Sequence, residues 1–172
     1  MIKIYKYDSL SVEEIMARDT TKVDVSKIVS DIIENVKQNG DKALFEYCEK
    51  FDGGAPSSLL VSKEEIDDAL KNIDSALLAA MTEARDNIRA FHEKQVRQGF
   101  VMTEKEGVVL GQKITPIGKV GLYVPGGTAS YPSTVLMDAI PAKIAGCSEI
   151  VMTTPAKNGV VSPAILAAAS LA

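Results

Sequence analysis

KVGLYVPGGTASYPSTVLMDAIPAKIAGCSEIVMTTP, from Lys119 to Pro155, is the stretch that decides the fold. An apolar run, Val120 to Val124, breaks at Pro125-Gly126-Gly127; a polar loop and an amphipathic segment follow, then a second apolar run, Ile150 to Thr153. Strand, glycine turn, helix and strand in that order predict a βαβ unit, and so an α/β chain with a parallel sheet. Open sheets of this kind take ligands at the carboxyl ends of their strands. Tyr123, Pro125, Gly126 and Gly127 fall at that end. The two glycines suit a backbone nest around an anion or the close approach of a cofactor, and equally a tight turn that needs φ > 0. Tyr123 suits either a ligand contact or an amphipathic core position. The spacing Gly118-Lys-Val-Gly121 is not G-x-G-x-x-G, so no dinucleotide fingerprint is present.

Around the turn, the crossover helix is expected to start near Pro132 or Ser133, with Ser130 as a possible N-cap and Val135, Leu136, Ala139, Ile140 and Ile144 as its apolar face. Pro141 should kink or break it, since an interior proline costs about 3 kcal/mol. Ser162-Pro163 opens another helix, with Ser162 as N-cap and Pro163 at the first helical position. That helix should feed a further parallel strand, and without one the sheet keeps an open edge. The expectation is a chain cut in mid-domain at Ala172. Upstream, Phe100–Thr103 and Val108–Leu110 read as a hairpin around Lys105-Glu106-Gly107.

Charge sets a boundary between two regions. Residues 1–106 hold 21 of the 23 acidic and 15 of the 19 basic side chains; residues 107–172 hold six of the seven prolines and eight of the twelve glycines. The expected organisation is a mainly helical region, 1–106, followed by an α/β region, 107–172, whose sheet is buried on both sides. In the first region, Ile28, Val29, Ile32, Ile33 and Val36 mark one face of a helix over 24–39. Asp41 caps a short helix that ends at Asp52-Gly53-Gly54, and Ser62-Lys-Glu-Glu65 is a capping box. A long helix over 75–98 carries Leu77, Leu78, Met81, Ala84, Ile88 and Phe91 as its stripe.

Composition excludes several functions. A net charge of −4 and a pI near 5.1 argue against a nucleic-acid partner. No apolar run approaches the roughly 18–20 residues of a membrane span, and the start MIKIYKYDSL has no signal-peptide core, so the expected address is cytoplasmic. Cys48 and Cys147 are too few and too far apart for a disulfide scaffold. His92 is the single histidine, so neither a zinc constellation nor a Ser–His–Asp triad has local support; a lone helical histidine is read as structural.

Three blocks in fixed order, GLYVPGG, PSTVLM and IPAKIAGCSEIVMTTPAK, resemble the N-terminal part of histidinol dehydrogenase. Gly40-Asp41-Lys-Ala-Leu44 and Ile88-Arg-Ala-Phe-His92-Glu-Lys-Gln95 agree with it less sharply. The resemblance implies incomplete Rossmann-like domains related to aldehyde dehydrogenases, an intertwined homodimer, and oxidation of L-histidinol to L-histidine through the aldehyde. NAD and zinc are the implied cofactors. It makes Tyr123 an NAD contact, with Pro125, Gly126 and Gly127 shaping the same edge. The zinc ligands and the glutamate–histidine acid/base pair of the family lie beyond these blocks, so no catalytic and no metal-ligating residue is assigned here, and the chain alone is expected to be inactive. Tyr131 is bulkier than the family pattern at its position. A different oxidoreductase of the aldehyde-dehydrogenase-like fold, or a non-catalytic interaction or oligomerisation module, are the alternatives.

Overall fold

A computed structural model describes residues 4–17, 24–126 and 130–172. The chain divides into two compact units, Met1–Gln38 and Asn39–Ala172. In the first, α1 (Val12–Met16) opens on a capping box: the Ser11 hydroxyl accepts the Glu14 N–H, and the Glu14 carboxylate accepts the Ser11 N–H at 2.8 Å. The backbone N–H of Ser11, then its hydroxyl, hold the Glu14 carboxyl below the usual range. Helix α2 (Ser26–Asn39) forms where its periodicity predicts, yet none of its residues is buried. Ile28, Val29 and Ile33 are exposed. Periodicity specifies a helix with an apolar face; it does not supply the surface that covers the face.

In the second unit, α3 (Asp41–Tyr47) runs into a π-helical turn, Cys48–Asp52, which Gly53 closes at φ 79°. Burial, then the neighbouring Asp52 and Glu49 charges, push the Cys48 thiol up. Helix α4 (Lys63–Asn72) has the expected capping box, with the Ser62 N–H donating to the Glu65 carboxylate at 2.7 Å and the Glu65 N–H donating to the Ser62 hydroxyl at 3.1 Å. Ser62→Ala is expected to cost about 1 kcal/mol. A thermal melt indistinguishable from that of the unsubstituted chain would show that the box does not stabilise α4.

Helix α5 (Ser75–Glu93) stops five residues short of the predicted end. The chain tightens there: the Lys94 N–H reaches the Phe91 carbonyl and the Gln95 N–H the His92 carbonyl, bonds of the i→i+3 kind that finish helices. It must then bring Gly99 against the Gln112 carbonyl, where a side chain would clash. The hairpin is present but its second strand is displaced. β1 (Phe100–Met102) pairs antiparallel with β2 (Leu110–Gln112), Phe100 opposite Gln112 and Met102 opposite Leu110. Val108 and Val109 stay in the connection, where the Val108 N–H bonds the Lys105 carbonyl. Gly111 decides the register, because a Cβ there would lie 2.7 Å from the Phe100 carbonyl oxygen.

The βαβ unit is as the sequence reads. β3 (Lys119–Tyr123) and β4 (Glu149–Thr153) pair in parallel, Tyr123 beside Thr153, with α6 (Pro132–Ile144) between them in the chain. Pro141 does not break α6, which continues to Ile144. Proline removes its own N–H and crowds the carbonyl one turn back, but its own carbonyl stays available, and the Ala145 N–H bonds it at 2.8 Å. The expectation of a sheet buried on both sides is corrected. Val120, Leu122, Ile150 and Met152 turn inward, whereas Lys119, Gly121 and Tyr123 with Glu149, Val151 and Thr153 are exposed. On that open face Lys119 and its cross-strand partner Glu149 form an ion pair at 2.6 Å.

Helix α7 (Pro163–Leu171) supplies the middle of the core. It packs against α4, α5 and α6, while α6 covers the inner face of β3 and β4. Met81, Val124, Val135, Leu136, Ile140, Ile165, Ala167 and Ala168 form one buried cluster. The alanines of α7 allow the helices to approach closely, so the charged α4 and α5 and the sheet-forming segment share a single core.

Candidate site at the carboxyl edge of the parallel sheet

β3 and β4 end side by side at Tyr123 and Thr153, and the Val124 N–H extends the ladder by bonding the Thr153 carbonyl at 2.9 Å. Val124 is fully buried and anchors the edge from below. Strand alternation therefore turns Tyr123 outward, where it is 65% exposed. That favours the ligand reading of this tyrosine over the core reading. Pro125 follows, half-buried, then Gly126, exposed. Gly127 lies outside the described residues.

Gly126 has a reason other than left-handed backbone. A Cβ on it would meet the ring of Pro155, with Cδ, Cβ and Cγ at 3.2–3.3 Å. Pro155 follows β4, so the two strand ends meet closely here, and a side chain on Gly126 would have to push the Pro155 ring back by a few tenths of an ångström.

Ser130, expected as a cap, does not cap α6, whereas Ser162 stands at the N-cap of α7 with Pro163 first in the helix, as expected, but its hydroxyl makes no capping bond. Helix α6 has Tyr131 at the N-cap position without a side-chain bond, and α7 has Ser162 there, also without one. Instead the two hydroxyls meet each other at 3.0 Å. This contact joins the starts of α6 and α7 beside the strand ends. Both helices begin with proline, and their first backbone N–H groups have no side-chain acceptor. α6 follows β3 and α7 follows β4 in the chain, so both helix starts and the exposed Tyr123 belong to the carboxyl edge, where a helix start can take an anionic group and a tyrosine a planar ring. NAD offers both, so the residues present fit it.

Zinc fits less well, because among the described residues no three His, Cys, Asp or Glu side chains come together. His92 is at the other end of the unit. Its ring nitrogen Nδ1 lies 2.7 Å from Gln95 Oε1, and it lines a cavity of about 400 Å³ with Arg97, Ile114, Pro116 and Pro141, ahead of the start of β3. The Ser130–Ser162 contact was not read from the sequence. Two serines each placed just before a proline-led helix start are the local signal; their pairing across 32 positions has no local signal.

Comparison with known proteins places this geometry in a family. The family model described as histidinol dehydrogenase matches residues 16–172. Histidinol dehydrogenase of Clostridium acetobutylicum is 49% identical over 150 residues, which are 87% of this chain and 35% of that protein. The Heliobacterium mobile protein of the same name is 43% identical over 173 residues, covering 98% of this chain and 41% of its own length. In three dimensions the chain is similar to the crystal structure of histidinol dehydrogenase from Elizabethkingia anophelis, with a TM-score of 0.81 and 39% identity over 86% of this chain and 34% of that one. No helix among the described residues is long and apolar enough to cross a membrane. The chain thus spans between a third and two-fifths of the length of these relatives, and across that span it belongs to the histidinol dehydrogenase family.

Proposed function

We propose that this chain forms the NAD-side edge of a histidinol dehydrogenase, an oxidoreductase that converts L-histidinol to L-histidine through L-histidinal in the last steps of histidine biosynthesis. The observation that carries the reading is the Ser130–Ser162 contact, which joins the starts of the two helices that follow β3 and β4, both without a side-chain cap, together with the exposed Tyr123 at the end of β3. Tyr123 packs on the cofactor, Pro125 and Gly126 with Gly127 shape the edge, and the helix starts take its phosphates. Residues 107–172 are then the beginning of a Rossmann-like nucleotide-binding domain, led into by the mainly helical residues 1–106. Family membership removes the need for a different aldehyde-dehydrogenase-like oxidoreductase. Bound zinc would polarise the substrate oxygen in the complete enzyme. On this reading, as the resemblance implies, its ligands and the acid/base pair fall in the part of the relatives' length that this chain does not span. A cytoplasmic address goes with that biosynthetic role.

Titration of the labelled chain with NAD, followed by amide NMR, tests the reading. Shifts should concentrate at Tyr123, Gly126 and the first turns of α6 and α7. Tyr123→Ala should weaken binding by about 1–2 kcal/mol, roughly five- to thirtyfold in Kd. An unresponsive edge at saturating NAD would sink the proposal. With histidinol and NAD together the 172-residue chain should produce no NADH, and turnover would refute the assignment of the chemistry to other residues.

Homodimerisation belongs to the same reading, and the exposed apolar face of α2 supports it. The same face favours the interaction-module alternative. The two readings part on NAD, which only the first requires.

A further inference from the structure

Two turns about a hundred residues apart in sequence interlock beneath the candidate cofactor edge. Lys157-Asn158-Gly159-Val160 is a two-residue reversal with Asn158 at φ 53° and Gly159 at φ 75°, closed by the Val160 N–H on the Lys157 carbonyl at 3.1 Å. Positive φ at both central positions is the type I′ pattern, for which Asn-Gly is the favoured pair. This turn is seated on Gly53-Gly54-Ala55, which follows the π-helical turn. The Asn158 N–H donates to the Asp52 carbonyl at 2.8 Å. A Cβ on Gly53 would lie 2.7 Å from Asn158 Oδ1, and one on Gly54 would lie 3.1–3.3 Å from the Asn158 and Gly159 backbone. On Gly159 it would lie 2.7 Å from the Ala55 carbonyl oxygen. Gly53 and Gly159 therefore face the other turn at distances where something must shift to admit a Cβ, and Gly54 faces it at a distance that a shift of a few tenths of an ångström relieves.

The interlock lies two residues from Pro155, whose ring rests on Gly126. Between them Ala156 is buried and its carbonyl accepts the Gly159 N–H at 3.1 Å, so the segment from Pro155 to Gly159 is short and braced. Displacement of the turn is transmitted to the Pro155 ring, because close-packed neighbours cannot absorb it. Gly126 and, three residues before it, Tyr123 follow.

We infer that Asn158 and Gly159, locked on Gly53-Gly54, are positioning residues: they set Pro155 against Gly126 and thereby place the Tyr123–Gly126 edge for its ligand. The ligand part of this inference rests on the NAD reading above; the positional part stands without it. Asn158 touches no cofactor in this arrangement, and its effect passes through Pro155.

Gly54→Ala is the decisive variant. The φ of Gly54 lies outside the left-handed region, so alanine adds no backbone strain and only pushes the opposing turn by a few tenths of an ångström. Amide NMR of the 172-residue chain is recorded without and with NAD. In Gly54→Ala the resonances of Tyr123 and Gly126 should move without ligand, while those of the hairpin at Val101 and Gly111 stay in place. A merely structural role would not single out the edge in this way. NAD should bind roughly three- to tenfold more weakly than to the unsubstituted chain.

Unmoved Tyr123 and Gly126 resonances overturn the inference. An unchanged Kd in a variant whose edge has moved overturns its ligand part. If the unsubstituted chain ignores NAD, the NAD reading fails, and the ligand-free shifts still decide the positional part. Should Gly54→Ala not fold, Asn158→Gly serves. It keeps the positive φ, removes only the side chain that rests on Gly53, and is expected to move the same two resonances by less. Their standing still in that variant overturns the inference equally.

Discussion

Ile140→Ala is expected to destabilise the chain by about 3–4 kcal/mol, lowering the melting temperature by roughly 6–16 °C. Ile140 is fully buried on α6, within the cluster that Val124, Leu136, Ile165, Ala167 and Ala168 also form. Removing three carbons there loses their transfer free energy and leaves a cavity walled by helix backbones. The walls cannot readily close over it, because α5 and α7 already pack against α6 in one close-packed cluster. The contrast is Ile28→Ala on α2, the same substitution at an exposed position, which should change stability by less than about 0.5 kcal/mol. Equal losses in the two variants would show that the core lies elsewhere than in the α5–α6–α7 layer. Ile140→Val, with one carbon removed, should fall between them at about 1 kcal/mol.

Gly126→Val should remove NAD binding, raising Kd by roughly a hundredfold, while costing about 1–3 kcal/mol of stability. Alanine alone would place a Cβ at 3.2–3.3 Å from three atoms of the Pro155 ring. Valine adds two further methyl groups at this contact, more than a shift of a few tenths of an ångström relieves. The strand ends must then part, and the tyrosine and the helix starts lose their common geometry. The conformational reading of Gly126 predicts otherwise: were the glycine there for positive φ, alanine and valine would be similarly harmful. Steric exclusion makes the loss grow with side-chain size. A Gly126→Ala variant as weak as Gly126→Val would therefore count against the Pro155 contact as the cause.

What the sequence revealed and what it concealed divide along the range of the interactions. The capping box at Ser62 is legible because it closes within three residues; the one at Ser11 is equally local and went unread, having no long apolar helical run behind it to draw notice. The βαβ order follows from apolar runs on either side of a glycine turn and an amphipathic segment, whereas the outward place of Tyr123, left open by the sequence, is settled by the fully buried Val124 next to it. The end of α5 and the register of the hairpin were misplaced because both depend on glycines meeting distant carbonyls, Gly99 on Gln112 and Gly111 on Phe100. Local patterns at Ser130 and Ser162 each point to a cap, and each pattern is sound by itself. The hydroxyls find one another instead, across a distance in sequence that no propensity records. Burial on both faces of the sheet was inferred from apolar strands, yet alternate residues, Lys119 and Glu149 among them, carry the polar face. Family resemblance drew on the blocks around the turn, and so reached the edge that composition alone could not interpret.

The central position of α7 also governs when the chain can fold as it is made. Helix α4 rests on α7, and Lys63 precedes Pro163 by one hundred residues. At about 5–20 residues per second, α4 emerges from the ribosome roughly five to twenty seconds before the helix that covers it. Throughout that interval Ala69 and Leu70 have no final partner on α7, and the nascent segment depends on its own capping box to keep its shape. The strong cap at Ser62 is thus placed on the helix that must wait longest, and vectorial synthesis gives it a use that the finished fold does not display.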